Sequence, residues 1–314
     1  MTGVLAAAAH HGRWLLVAGL VAGIGLPAVA AWMRPWLPEM VAVLLFLAAL
    51  RVGPKQALGA WADLTASVTF VAALQVIVPV LFALLIAAIG WQGALAFAII
   101  MAMAAPPISG SPSMTIMLGH DPAASLRQLV VGTALVPLTV IPVFALVPQF
   151  GDPAAIFYAA FRLLAVIALA TALAFAIRLA LLRDPAPRVM QAIDGILAIA
   201  MAVIVVGLMA AVGPALAGNP RLFLSTLAAA TLLNFGMQAA AAICLFSTRW
   251  RRYAVPLGVI AGNRNIALFL AALPAAVTDP LLLFIGCYQV PMYLTPILMR
   301  PFYGWLDGRA LNKA

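Results

Sequence analysis

The sequence predicts an all-α polytopic membrane protein: ten transmembrane helices, arranged as two inverted five-helix repeats whose helices 4 and 9 are broken and cross. Three observations predict it. Of 314 residues, 66% are hydrophobic and 8% charged, and the mean hydropathy is +1.16, a composition foreign to soluble domains of this length. Apolar runs near the spanning length of about 20 residues recur along the chain, separated by short polar or Pro-bearing loops. Two of these runs are interrupted, by Ala105-Pro106-Pro107-Ile108-Ser109-Gly110-Ser111-Pro112-Ser113 and by Gly262-Asn263-Arg264-Asn265. Non-helical backbone at membrane depth survives only where protein buries it or a watery cavity borders it.

The first run, 13–33, follows Arg13 and is longer than a signal-peptide core, although Ala28-Val29-Ala30 imitates a cleavage site; it is read as a retained span. The second, 38–52, is bracketed by Pro38 and Pro54, since Pro suits a first helical turn and ends a helix elsewhere. Pro54 to Asp63 reads as an interfacial helix. Runs 65–89, 91–119 and 124–149 complete a first repeat, 13–149. Runs 154–182, 187–213, 221–247, 252–278 and 280–302 make a second, 154–302. Five helices per repeat is an odd number, so the two repeats must be inverted. The whole chain, 1–314, reads as one transmembrane domain, and the interruptions fall at equivalent places in it.

Charge placement tests this count, because cytoplasmic loops carry the excess of Lys and Arg. With both termini inside, that side holds Arg13, Arg51, Lys55, Arg127, Arg178, Arg183, Arg188, Arg249, Arg251, Arg252, Arg300, Arg309 and Lys313, and the other side holds Arg34 and Arg221. Arg162 and Arg264 remain within the membrane, which accounts for all 17 basic residues. The net charge of +9 therefore records orientation. No basic face of a soluble domain exists to hold nucleic acid; the lipid bilayer is the expected partner, with attraction to anionic inner-leaflet lipid a secondary consequence.

Catalytic and redox chemistry find little foothold. Cys244 and Cys287 lie in apolar stretches without metal-ligand spacing and read as packing residues. His10, His11 and His120 sit at ends or loops, away from any nucleophile, so no enzyme and no cofactor are expected. The paired breaks instead point to the substrate site of a secondary transporter. In such proteins two discontinuous helices cross near the midplane, offering half-helix N-termini to anions and free carbonyls to cations. The candidates for substrate binding or for holding the crossing together are Ser109, Ser111, Ser113, Asn263, Arg264 and Asn265. Gln75 in helix 3, and Asn234 and Gln238 one turn apart in helix 8, are expected to support it. A cation/proton antiporter with a related crossing is the alternative; it would need an Asp or Glu near the breaks, and none is there.

Lesser expectations concern the remaining polar residues. Arg162 and Asp194 are expected to approach as a packing ion pair, with a proton relay the alternative. His120 and Asp121 follow helix 4 and read as an ordinary loop, with proton handling the alternative. Gly19 and Gly23 should bring helix 1 close to a neighbour within a monomer.

Arg34-Pro35-Trp36-Leu37-Pro38 leading to Leu45-Phe46-Leu47-Ala48-Ala49-Leu50-Arg51, Gln75, the Gly110-Ser111-Pro112-Ser113 break and Gly262-Asn263-Arg264-Asn265 together resemble the bile acid:sodium symporter family, in its bacterial form. The resemblance covers nearly the whole chain. It implies a core domain of helices 3–5 and 8–10, a panel domain of helices 1, 2, 6 and 7, and a small organic anion (bile acid-like, a carboxylate or a sulfonate) between them. It also implies a bacterial inner membrane. Where the family's ninth helix reads Glu-x-Gly-x-Gln-Asn, this chain has Ile260-Ala261-Gly262-Asn263-Arg264-Asn265; where the fourth offers Ser-Asn, it has Ser113-Met114. Of the family's sodium ligands only Ser113 and Gln75 remain, a degenerate Na+ site at most. A guanidinium has only N–H donors and a permanent charge, so Arg264 is expected to occupy the sodium position as a built-in cation. It would donate to carbonyls and hydroxyls, with Ser109, Ser111, Ser113 and Gln75 as sources, or else pair with a substrate carboxylate; a structural arginine that caps a half-helix is the alternative to both.

Overall fold

In the computed structural model, which describes residues 2–311, every regular element is helical. Helix α1 (Thr2–His10) precedes α2 (Gly12–Gly25) and α3 (Pro27–Met33), and α4 (Leu37–Gly59) follows. Gly53, at φ +71°, bends α4 just before Pro54. That bend starts the segment expected to lie at the interface, and its last turn, Ala60–Asp63, is 3-10. Helices α5 (Leu64–Ala72) and α6 (Val78–Ala88) are joined without interruption by a π-helical turn, Ala73–Ile77.

The chain continues through α7 (Ala94–Ala104), α8 (Ser111–Met117), α9 (Ala123–Phe144), α10 (Pro153–Leu181), α11 (Pro187–Leu208), α12 (Val212–Gly218) and α13 (Pro220–Phe246). It ends with α14 (Ala254–Gly262), α15 (Leu268–Ala272), α16 (Ala275–Thr278), α17 (Leu282–Leu298) and α18 (Arg300–Leu311). Pro at the first turn opens many of these helices, where its missing N–H costs nothing. Asp152 and Asn219 cap α10 and α13 by accepting from Ala155 N and Leu222 N.

Among the described residues, seven helices are long and apolar enough to cross a membrane: Pro27–Gly59, Leu64–Ala88, Ala123–Phe144, Pro153–Leu181, Pro187–Gly218, Pro220–Phe246 and Ala275–Leu298. The pair Gly3–His10 and Trp14–Gly25, bent by 83°, makes an eighth if it is one span. The chain is thus a multi-pass membrane protein by the length and apolarity of its helices. Seven of the ten expected runs match these seven helices. The other three, 13–33, 91–119 and 252–278, are broken. Breaks in the last two were expected. The first was not: Leu26, at φ −122° and ψ 64°, leaves the helical region just before Pro27, as a residue preceding proline tends to do. Lys313, one of the expected cytoplasmic charges, lies outside the described residues.

Helix α11 lies against α2, α3 and α4, and α4 also packs on α10; α13 holds α14 and α17 while α9 holds α5, α8 and α14, and these two groups are joined where α9 packs on α10 and α15 on α4. A bilayer offers no hydrophobic drive between helices, so close approach of small residues matters. A Cβ at Gly19 would lie 2.5 Å from the Ala202 carbonyl oxygen, and one at Gly23 would lie 2.8 Å from that of Val206, so this pair seats α2 on α11 within one chain.

Arg162 and Asp194 do not meet. Asp194 Oδ1 accepts from Arg51 Nε at 2.8 Å, and the Arg162 guanidinium sits 5.8 Å from the centre of the Tyr158 ring. Counting equal distances from the starts of two antiparallel helices puts residues at opposite depths. Asp194 lies level with Ala174, which shares a cluster with Leu50 and Ile193, about 18 Å along α10 from Arg162 at 1.5 Å per residue. Helix α4 packs on both partners and brings Arg51 instead.

Candidate functional site

Both interrupted runs are buried in protein, as the cost of unpaired backbone requires. Every residue of α14 is buried, as is α7 from Ala96 to Ala104. The extended segments that follow them meet antiparallel: Ile108 N donates to Asn263 O at 3.0 Å, Asn265 N donates to Pro106 O at 2.8 Å, and Pro107 pairs with Arg264. Pro106 and Pro107 cannot continue α7 and have no N–H to satisfy. The crossing is therefore a two-residue scrap of sheet inside a helical protein.

Arg264 lies at the centre of this crossing and is 2% exposed. Its Nε donates to Ala261 O at 3.0 Å, its Nη1 to Ala105 O at 3.2 Å and its Nη2 to Leu74 O at 2.7 Å. Each acceptor is a carbonyl that its own helix leaves over. Ala105 caps α7, and Ala261 stands in the last turn of α14, so both mark helix C-termini, where carbonyls lack partners and the dipole is negative. Leu74 is freed differently. Val78 N–H donates five residues back to Ala73 O, and the next residue, Pro79, has no N–H to give to Leu74 O. One guanidinium thus ties three helices together by their orphan carbonyls. The serines and Gln75 are not its acceptors.

The opposite flank of the crossing is held by neutral groups. Asn234 Nδ2 donates to Gly262 O and, at 3.3 Å, to Asn263 Oδ1; Gln238 Nε2 donates to Asn234 Oδ1 at 2.7 Å and to Thr295 Oγ1 at 3.0 Å. Thr295 Oγ1 faces Asn263 Oδ1 at 3.1 Å, Tyr303 OH donates to Gln238 Oε1 at 3.1 Å, and Tyr288 OH donates to Gly262 O. Asn263 Nδ2 donates back to Val259 O at 2.8 Å. All six side chains are buried, and a buried network of this kind rigidifies only when its members are satisfied. Gly262 makes it possible: a Cβ there would lie 2.1 Å from Asn234 O and 2.4 Å from Gln238 Cγ.

The remaining candidates scatter. Gln75 is buried in the π turn, its Oε1 accepting from Thr139 Oγ1 at 3.2 Å, while Ser113 is exposed on α8; no hydrogen bond joins them among the described residues. Ser111 is buried with its hydroxyl unpartnered. Its carbonyl accepts from Thr115 Oγ1, which lies 2.7 Å from Ser125 Oγ. Ser109 and Asn265, both half-buried, line an open cleft. Leu44 of α4 and Ile204 and Leu208 of α11 form one wall of this cleft; Gln289 and Tyr293 of α17, with the crossing, form the other. His120 reaches Asp307 Oδ2 of α18 at 3.1 Å, and Asp121 accepts from Ala123 N.

Sequence reasoning missed Leu74, Thr139, Tyr288, Thr295 and Tyr303. Tyr288 and Thr295 are seven apart, two turns on one face of α17, and Asn234 and Gln238 are four apart on α13. That matching polar spacing was a usable signal. No protein-family model matches the chain, and no curated protein is similar to it.

Proposed function

We propose that the protein is a secondary transporter with ten spans in two inverted repeats, built like the bile acid:sodium symporters. In this reading both termini are cytoplasmic, and the protein moves a small organic anion through the cleft between its two helix groups. The observation that carries the reading is the buried Arg264 on the carbonyl ends of α7 and α14. Placing a charge there costs at least about 2.5 kcal/mol, and free carbonyls at a helix crossing are what a transported or coupling cation would ligate. Arg264 occupies them permanently, so transport runs without sodium. The cleft supports the substrate class: Leu44, Ile204 and Leu208 suit an apolar body, and Ser109, Asn265 and Tyr293 offer hydrogen bonds to a polar head. Rocking of the α2–α4, α10, α11 group against the other around this fixed site provides alternating access.

The test is the thermal stability of the detergent-purified protein with taurocholate and with octanoate, each in sodium chloride and in choline chloride. A ligand that binds only the folded state raises stability by mass action. Equal stabilisation in both salts is expected. Stabilisation confined to sodium would overturn the role given to Arg264, and no stabilisation by either anion would overturn the substrate class.

A further inference from the structure

The turn between α13 and α14 carries Arg249-Trp250-Arg251-Arg252-Tyr253. It is compact: Trp250 N donates to Thr248 Oγ1, Arg251 N to Thr248 O and Tyr253 N to Trp250 O. Each arginine lies over an aromatic ring, Arg249 at 5.1 Å from the Trp250 centroid, Arg251 at 4.3 Å from that of Phe246 and Arg252 at 4.6 Å from that of Tyr253. Phe70 of α5 packs edge-on against both Trp250 and Tyr253. Arg127 of α9 shares a shallow, open notch with Phe70 and Tyr253, and Asp63 lines that notch too.

Two features of this cluster are unbalanced. None of Arg127, Arg249, Arg251 and Arg252 has a carboxylate within 4.0 Å among the described residues, where the ion pairs are Arg34–Asp279, Arg51–Asp194, Lys55–Asp184 and His120–Asp307. Moreover, Nη2 of Arg251 is buried without an acceptor, a costly state for a charged donor. The turn ends a 27-residue apolar helix, so it lies at the boundary of the hydrocarbon, where Trp and Tyr gather.

We infer that this turn, with Arg127, binds the phosphate of an anionic phospholipid, its acyl chains lying along Phe70 and Phe246. Guanidinium donates to phosphate through a planar fork; the buried Nη2 anchors Arg251 in the turn, while the exposed Arg249 and Arg252 and the other nitrogens of the half-buried Arg251 are free to meet the headgroup. Orientation alone calls for positive charge on this side, but not for arginines fixed over rings with one nitrogen buried.

Native mass spectrometry of the protein purified from phosphatidylglycerol-containing membranes tests it, together with melting in phosphatidylcholine nanodiscs with and without phosphatidylglycerol. The wild type is expected to retain phosphatidylglycerol and to melt higher in its presence. Arg251→Gln and the exposed Arg249→Gln should each weaken retention about fivefold, the share of one basic contact. Arg188→Gln, an exposed arginine of another loop, should leave it unchanged. Equal loss in Arg188→Gln would reduce the effect to general surface charge and overturn the site. Stabilisation by millimolar inorganic phosphate matching that of the lipid would assign the cluster to a soluble anion and overturn the lipid assignment. Equal retention of phosphatidylcholine would overturn the role of charge.

Discussion

The two flanks of the helix crossing solve the same problem with different chemistry. On one, the carbonyls of Leu74, Ala105 and Ala261 converge on the single cation of Arg264; on the other, Gly262 O and Asn263 are held by Asn234, Tyr288 and Thr295, with Gln238 bonded behind Asn234 and Thr295, all neutral. The difference follows from what each flank has left over. The carbonyl flank has only acceptors, because two helices end there and Pro79 removes a donor from a third. Only a group with donors and no acceptor can satisfy three carbonyls at once. The amide flank has donors and acceptors in balance and needs no charge. A charge tolerated at the centre of a membrane protein is therefore traceable to three specific backbone vacancies.

The largest expected effect comes from emptying the charged flank. Arg264→Leu leaves three buried carbonyls without donors, each worth about 1–3 kcal/mol, against at least about 2.5 kcal/mol regained by not burying the guanidinium. The net loss is about 3 kcal/mol, read as a lower melting temperature of the purified protein. Arg264→Gln, which keeps one amide donor group, should fall between Leu and the wild type. If Arg264→Leu melts like the wild type, the carbonyls have other donors and the comparison between flanks collapses.

The neutral flank breaks through its backbone rather than its side chains. In Gly262→Ala the new methyl meets the main chain of Asn234 at 2.1 Å, and a carbonyl in the middle of α13 cannot step aside. The expected cost is about 2 kcal/mol, in the range of overpacked cores. Combined with Arg264→Gln it sharpens the comparison. Additive losses would mean that the flanks hold the crossing independently, whereas a large coupling would mean that both act on one strained segment.

Much of this was legible in the sequence, and the unread parts have physical reasons. Pro106-Pro107 and the polar Gly262-Asn263-Arg264-Asn265 run announce the breaks, because neither belongs in an unbroken apolar helix. Gln75, Asn234 and Gln238 stand out against apolar neighbours, and all three are buried. Backbone acceptors do not stand out. Leu74 is one more leucine in a greasy run, and its role depends on a π turn that spacing alone does not reveal. For the same reason Ser109, Ser111 and Ser113, consecutive odd positions across a break, point to three different environments, since the chain changes from extended to helical between them. Arg162 and Asp194 fail on depth, and Asp194 finds Arg51 because α4 stands between α10 and α11.

The smallest expected effect lies at the rim, where charge meets water instead of carbonyls. Lys55 Nζ donates to Asp184 Oδ1 at 2.8 Å, and that hydrogen bond, then the Lys55 charge, holds the Asp184 carboxyl below its ordinary value of 3.8. A lowered folded value means that the pair stabilises the protein above the ordinary carboxylate range and that the contribution is lost as pH falls through the lowered value. Both side chains are 82% exposed, so water and salt screen the pair and little is at stake. Asp184→Asn should therefore leave the melting temperature at pH 7 nearly unchanged, and the melting temperatures of wild type and variant should converge below pH 4. The Arg264 variants should keep their full deficit over the same range, because a guanidinium does not titrate there. A deficit in Arg264→Leu that faded with acid, as the rim pair's does, would mean that a carboxylate, and not three carbonyls, is what Arg264 holds.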